Sequence, residues 1–494
     1  MDWWTWAGYI LVGFYALALF YVLVFCLSQL HLLWLYSRHH HRPSEATPPP
    51  PNKWPPVTVQ LPIYNEIYVV ERLIRNIMLL DYPKELLEVQ ILDDSTDDTT
   101  EIITRVVREY QAQGFHIRHI RRPDRQGYKA GALQYGLEEA SGEFIAIFDA
   151  DFLPTPDFLK RTIPWFSDPR TGVVQTRWEH LNESYSLITA LQAFQLNVHF
   201  SVEQTGRLEG QYLLQFNGTG GIWRRQTILD AGGWQPDTLT EDLDLSYRSQ
   251  LRGWKIQYLE KLGSPAELPA EMNGLKSQQH RWMKGGAETA KKNLPHVWRS
   301  TLPLGKKIHA TLHLMASAIF VFVFLIGVFS VPVLFLTRFL EINIHYFAWF
   351  LTGMLAIVAV YFAGNVTTGW SKGSWGKKAL KFLVLFPVFL SLSMGLSLHN
   401  SVAVIQGWLG RKSSFVRTPK FNIRTITDTF RNHRYLARSI SRLTVWEGVM
   451  AVYFLAAVVM GIYYGFTSFV IFHGMLAFGY GMIFYYSLRH LEVK

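Results

Sequence analysis

The sequence predicts an α/β domain built on a mainly parallel sheet and set between apolar helices long enough to cross a membrane. Short apolar runs, Val57–Leu61, Val89–Leu92 and Phe144–Phe148, each end at turn or acidic residues. Helical patterns over Val69–Leu80, Asp98–Gln113 and Ala130–Glu139 alternate with them, and that alternation builds βαβ units with helices on both faces of a sheet. Uncharged runs flank this region. Ala7–Leu27 comes first, and Leu314–Leu336, Tyr346–Ala363, Phe382–Leu398, Val449–Tyr464 and Phe466–Leu488 follow; most are long enough for a hydrocarbon core of about 30 Å.

A chain of 494 residues exceeds one ordinary core. Its formal charge of +10 suits nucleic acid, an anionic membrane face or phosphorylated substrates. The basic residues crowd beside the apolar runs, which favours the membrane and not nucleic acid. The single cysteine, Cys26, sits in the first apolar run. One chain therefore holds neither an internal disulfide nor a Cys-based metal site.

Residues 1–42 read as an uncleaved N-terminal transmembrane anchor. No basic stretch precedes the apolar run, and Arg38, His39, His40, His41 and Arg42 follow it where a cleavage site would stand. Residues 43–56 form a proline-rich, extended linker, residues 57–294 the α/β domain, and residues 295–494 the C-terminal helices. The α/β domain, the basic loop Lys372–Lys381 and the basic segment Arg411–Arg442 belong on one positive side. A full crossing by Phe382–Leu398 would separate the last two. That stretch, broken by Pro387, Ser391, Ser393 and Ser397, is therefore expected to lie along the interface or re-enter, within an interfacial segment 372–410. One crossing then precedes the domain and four follow it, with Lys494 inside.

Ligands of parallel α/β sheets bind beyond the carboxyl ends of the strands, where the acidic residues fall. Asp149-Ala150-Asp151 aims two carboxylates at one divalent cation and, through it, at a diphosphate; Mg²⁺ and Mn²⁺ suit such oxygen ligands. A capped strand end with solvated acids is the plain alternative. Asp93-Asp94-Ser95-Thr96-Asp97-Asp98 offers acceptors for a nucleobase and ribose, with Asp97 or Asp98 also able to cap the next helix. Pro62, Tyr64 and Glu66 would wall the same pocket. Thr240-Glu241-Asp242 opens a helix, whose dipole keeps a carboxylate ionised as a general base requires; a capping arrangement explains the same triplet. Gln278-Gln279-His280-Arg281-Trp282 puts Gln278 and Arg281 on one helix face. Arg281 suits a diphosphate and Trp282 a sugar ring, although an interfacial helix also carries such residues. Lys129 precedes a helix and faces either donor phosphates or solvent. Phe216-Asn217-Gly218-Thr219-Gly220-Gly221 is a glycine-rich loop that admits close approach of a glycan.

In this order the motifs resemble those of the processive family 2 glycosyltransferases, the cellulose and hyaluronan synthases and above all the cellulose-synthase-like glucan and mannan synthases. The resemblance spans nearly the whole chain, and Phe216-Asn-Gly-Thr-Gly, Trp223-Arg-Arg and Ala231-Gly-Gly-Trp234 are similar to the mannan branch. It implies a glycosyltransferase A-type, Rossmann-like domain inserted in a helical transmembrane region. It also implies roles for residues. Asp93 and Asp94, with Pro62, Tyr64, Glu66, Lys129 and Arg281, would bind the donor nucleotide, and Asp149 and Asp151 the metal, Mg²⁺ or Mn²⁺. Asp242, with Glu241 beside it, would be the base, and Gln278, Arg281, Trp282, Asn217 and Gly218 would hold diphosphate and acceptor. Phe415-Val-Arg-Thr418-Pro-Lys420 resembles the gating loop of cellulose synthases, within residues 411–424, with Arg417 where Val is usual.

The activity so implied is inverting transfer of a hexose from UDP-glucose or GDP-mannose into a β-glucan or mannan, coupled to translocation. Transfer to a lipid acceptor of ceramide or polyprenyl-phosphate type, without polymerisation, is the alternative. The implied partners are the nucleotide-sugar donor, the growing glycan, the bilayer and export subunits. The implied location is a multi-pass membrane protein with a cytosolic catalytic domain, in the plasma or inner membrane of a bacterium or the Golgi of a eukaryote.

Overall fold

The computed structural model describes residues 3–40, 47–342, 350, 352–368, 373–413, 415–423, 425, 427–430, 434–436 and 439–491. Of the positions discussed above, His41, Arg42, Pro43, Tyr346, Lys372 and Lys494 lie outside the described residues.

The strands are β1 Val57–Ile63, β2 Leu87–Asp93, β3 His116–Ile120, β4 Phe144–Ile147, β5 Thr171–His180, β6 Gly221–Arg224 and β7 Lys255–Ala266. They form one sheet in the order β3-β2-β1-β4-β6-β5-β7. Val57, Val59, Leu61, Ile145 and Ile147 are fully buried, as continuous apolar strands covered on both faces must be. The helices α1 Trp3–His40, α2 Val70–Ile77, α3 Thr99–Ala112, α4 Tyr128–Glu139, α5 Phe158–Thr162, α6 Leu187–Val198, α7 Gln204–Glu209, α8 Arg225–Asp230 and α9 Glu241–Leu251 follow in chain order. The sheet is mainly parallel, as expected, with one reversal at β6, which is antiparallel to both β4 and β5. The chain enters β6 from the ligand side, through the turn at Gly218 and Gly220 (φ 80° and 66°), so it must run back against β4.

Beyond β7 come α10 Met272–Arg299, α11 Leu304–Leu314, α12 Ile319–Phe339, α13 Thr352–Phe362, α14 Trp375–Gly395, α15 Ser397–Trp408, α16 Arg442–Tyr463 and α17 Val470–Arg489. Among the described residues five helical stretches are long and apolar enough to cross a membrane: Trp3–His40, Ala316–Phe339, Trp375–Gly395, Arg442–Tyr463 and Thr467–Arg489. Thr352–Thr367 is a shorter apolar helix. α14 thus has crossing length, yet both ends of the α14–α15 pair touch the earlier part of the chain, before α11. Lys381 Nζ lies 2.8 Å from Glu183 Oε1, and Lys291 Nζ donates to the Trp408 carbonyl at 2.9 Å. Between these ends Gly395 meets Gly479, midway along α17.

The long helix α10 joins the two halves. One of its side chains, Lys276, is buried against Glu447 of α16 at 2.7 Å and Ser487 of α17 at 3.5 Å. Small residues let α14 and α17 meet closely: a Cβ on Gly479 would stand 1.9 Å from the Ser391 carbonyl oxygen. Gly479→Val is therefore expected to force α14 from α17 and to cost about 1–3 kcal/mol, the usual range for an overpacked contact. Thermal unfolding in detergent checks this; an unchanged midpoint contradicts the packing.

Candidate functional site

At the carboxyl ends of β1, β2 and β4 lies a pocket that reaches α9, α10 and the segment 415–420. Its walls are built by short-range chemistry. Asn65, in a left-handed conformation (φ 56°), receives the Thr96 N–H on its side-chain oxygen at 2.8 Å and donates its own N–H to Ser95 Oγ at 2.9 Å. This ties the loop after β1 to the loop after β2. Pro62, Tyr64 and Glu66 line the pocket from the first loop and Asp94 from the second.

The two neighbouring acids of β2 part company. Asp94 faces the pocket and is gripped by the Arg122 fork at 2.8 and 2.6 Å. Asp93 is buried and points away from it. Its carboxylate accepts from the Ser95 N–H at 2.8 Å and Thr100 Oγ1 at 2.9 Å, and lies 2.9 Å from His119 Nε2. The assignment of Asp93 to the nucleotide is therefore corrected: strand alternation turns it inward, where it braces the loop that presents Asp94. The helix-capping acid of this motif is Asp97, whose Oδ1 receives the Thr99 N–H at 3.1 Å.

Asp149 and Asp151 both line the pocket. Lys129 Nζ donates to Asp149 Oδ1 at 2.6 Å and to the Gly218 carbonyl at 3.0 Å. Asp151 Oδ2 receives Lys420 Nζ at 2.7 Å and the Glu267 N–H at 3.2 Å. Among the described residues no three His, Cys, Asp or Glu side chains form a closed metal cage. Two carboxylates at the end of β4, each also met by a lysine, fit an open site for a hard cation, whose shell phosphate oxygens complete.

Glu241 and Asp242 stand at the first turn of α9. Thr240 makes no side-chain cap there; its hydroxyl meets Thr289 Oγ1 at 3.1 Å instead. Burial, and then the neighbouring Glu241 charge, push the Asp242 carboxyl up to about 7, with Lys129 opposing. The helix terminus alone was expected to keep this acid ionised; desolvation outweighs it. Glu66 is likewise pushed up to about 8 by burial, against the pull of Arg417 and Lys420.

From α10, Gln278, Arg281 and Trp282 line the pocket. Arg281 lies 4.6 Å from the centre of the Phe415 ring and donates to Thr418 Oγ1 at 2.8 Å. Segment 415–420 thus closes one side of the cavity, and the unexpected Arg417 serves it. Arg417 Nη1 lies 3.0 Å from Glu66 Oε1, and its guanidinium sits 3.8 Å from the Tyr435 ring centre.

The structure brings together every residue proposed from the sequence except Asp93. It adds Arg125, Trp178, Glu267 and Arg417 to the lining, with Arg122 behind Asp94. The basic run Arg121-Arg122-Pro123-Asp124-Arg125 after β3 carried a signal for Arg122 and Arg125. Glu267, at the end of a long strand, carried none.

The fold is shared with a solved mannosyltransferase from Pyrobaculum calidifontis, described in complex with GDP-Man and Mn²⁺. The likeness covers 81% of this chain and all of that one, with TM-score 0.52 and 20% identity. Residues 55–285 match the family described as glycosyltransferase like family 2. Glucomannan 4-beta-mannosyltransferase 7 of Arabidopsis thaliana is 40% identical over 252 residues, 50% of this chain and 45% of that protein. Probable glucomannan 4-beta-mannosyltransferase 1 of the same plant is 31% identical over 441 residues, 84% of this chain and 74% of its own length. The first of these plant relatives is thus matched over about half its length, the second over about three quarters. The chain belongs to glycosyltransferase family 2, in the cellulose-synthase-like branch of glucan and mannan synthases.

Proposed function

We propose that this pocket transfers a hexose, with inversion, from a nucleotide-diphosphate sugar to the end of a β-linked glycan. The observation that carries this reading is the convergence of Asp149 and Asp151 with Glu241 and Asp242, and of both pairs with Arg281 and Trp282, in one cavity that segment 415–420 also lines. Mannose from GDP is the preferred donor. The names of the plant relatives and the ligand of the Pyrobaculum enzyme support it.

Asp242 takes the proton from an acceptor hydroxyl as that oxygen attacks the anomeric carbon. The bond to the diphosphate oxygen breaks on the opposite face, so an α-linked donor yields a β-linked product. Arg281 and Lys129 meet the departing diphosphate, and Asp94 the nucleoside. Asp149 and Asp151 would hold Mg²⁺ or Mn²⁺, and such an ion would neutralise charge on the leaving group. Trp282 and Gln278 hold the acceptor end. The segment 415–420 closes the donor side, with Thr418 and Lys420 facing the phosphates.

The catalytic domain lies on the cytosolic side, and Phe382–Leu398 re-enters. Lys381–Glu183 at one end and the Lys291 contact to Trp408 at the other support that return.

Asp242→Asn is expected to lower transfer by about 10²–10⁴-fold, as loss of a general base does, while nucleotide binding persists. Turnover near that of the parent removes Asp242 as the base. A base raised to about 7 must lose its proton before it works, so the rate should fall as pH drops below about 7 and level off above it. A pH–rate profile without an acid limb contradicts this. Chelation is expected to stop nucleotide release, Mn²⁺ or Mg²⁺ to restore it, and Asp151→Asn to raise the metal concentration required.

A further inference from the structure

The turn that leads from β3 into α4 is strained, and it carries a cation into the donor side of the pocket. Gly127 and Tyr128 are both left-handed, with φ 72° and 51°. For an aromatic residue that conformation is rare, and such outliers gather at functional sites. Arg122 holds the turn in place. Beside its fork on Asp94, it donates to the Gln126 carbonyl at 2.5 Å and to the Tyr128 carbonyl at 2.8 Å. The acid that faces the nucleoside and the turn that bears Arg125 are therefore fixed against each other.

Arg125 lines the pocket. Its guanidinium carbon lies 3.3 Å from the centre of the Tyr64 ring, a stacking distance, and 5.0 Å from that of Tyr128. The unusual backbone of Tyr128 thus sets a second ring beside the same group. All the N–H bonds of a guanidinium lie in its plane. With one face against Tyr64, Arg125 offers donors only along its edge. Its Nε is buried and has no hydrogen-bond partner among the described residues. Burial pulls its pKa below the usual guanidinium range, and the charges of Tyr64 and Asp94 nearby oppose that pull. A donor edge and a carboxylate acceptor therefore stand side by side at this end of the cavity.

We infer that Arg125 reads the base of the donor: its guanidinium edge donates to O6 and N7 of guanine, beside the Asp94 carboxylate, and so selects GDP over UDP. The inference rests on the reading of this pocket as a nucleotide-sugar site. Two parallel N–H groups need two acceptors side by side. Guanine presents O6 and N7 in that arrangement, whereas an N–H separates the two carbonyls of uracil. Adenine puts an amino donor where guanine has O6. Tyr64 and Asp94 mark the nucleoside end, and Lys129 and Arg281 already serve the phosphates. A base, not a phosphate, is therefore the partner of Arg125.

The test measures equilibrium binding of nucleoside diphosphates to the full chain in detergent, at fixed Mn²⁺, by calorimetry. The parent should bind GDP about tenfold or more tightly than UDP, and should bind 7-deaza-GDP, in which a C–H replaces N7, clearly more weakly than GDP. Arg125→Ala is expected to weaken GDP about tenfold or more, to change UDP by less than about twofold, and to erase the gap between GDP and its deaza analogue. Arg125→Lys keeps the charge without the fork and should lose most of the same preference. The unfolding midpoint of each variant reports on folding separately, and the deaza comparison on the parent needs no variant. Equal losses for GDP and UDP would assign Arg125 to the diphosphate and overturn the inference, as would a parent that prefers UDP. Unchanged GDP binding in Arg125→Ala removes this inference alone and leaves the proposed function standing. A parent that binds neither nucleotide removes both.

Discussion

The site depends on keeping charge out of water. Seven carboxylates, Glu66, Asp94, Asp149, Asp151, Glu241, Asp242 and Glu267, share one pocket with five cations, Arg125, Lys129, Arg281, Arg417 and Lys420. Removing an ion from water is expensive unless a partner and further hydrogen bonds compensate. The cations come from three separate stretches of chain, and Lys129, Arg417 and Lys420 each reach an acid that another element presents. The sheet and its loops set the acids in place, and the cations reach some of them and not others. Asp94 and Asp149 meet Arg122 and Lys129 directly, whereas Asp242 is left with burial and a like-charged neighbour. Acids with different environments can take different tasks, and a base near neutrality is one of them.

The C-terminal half completes this arrangement. Segment 415–420 follows the helices α11 to α15, yet it contributes Arg417 to Glu66, Thr418 to Arg281 and Lys420 to Asp151. These contacts bind the loops after β1 and β4 to α10. The acidic pocket is thus not a property of the α/β domain alone; three of its charges are compensated from the far end of the chain.

Much of this was legible in the sequence because it is local. Apolar runs that end in Asp marked β2 and β4 and the acids beyond them, and the helix from Glu241 began where the Thr-Glu-Asp triplet implied. Long uncharged runs marked the membrane helices. What escaped was non-local. Asp93 and Asp94 are adjacent letters, and only the pleat and the burial of β2 show that one faces the ligand and the other His119. The reversal at β6 comes from the direction in which a glycine turn enters the sheet, not from the composition of the strand. Glu267 looks like any strand-end acid until Lys420 and Phe421 arrive from another part of the chain. The perturbed Asp242 is likewise a consequence of burial depth, which no tripeptide records.

The buried contacts of Lys276 with Glu447 and Ser487 carry a mechanical consequence. The helix that presents Gln278, Arg281 and Trp282 is pinned, less than two turns earlier, to the two apolar helices α16 and α17. Any displacement of α16 and α17 is therefore carried to this wall of the pocket, by a route that never touches the reactants.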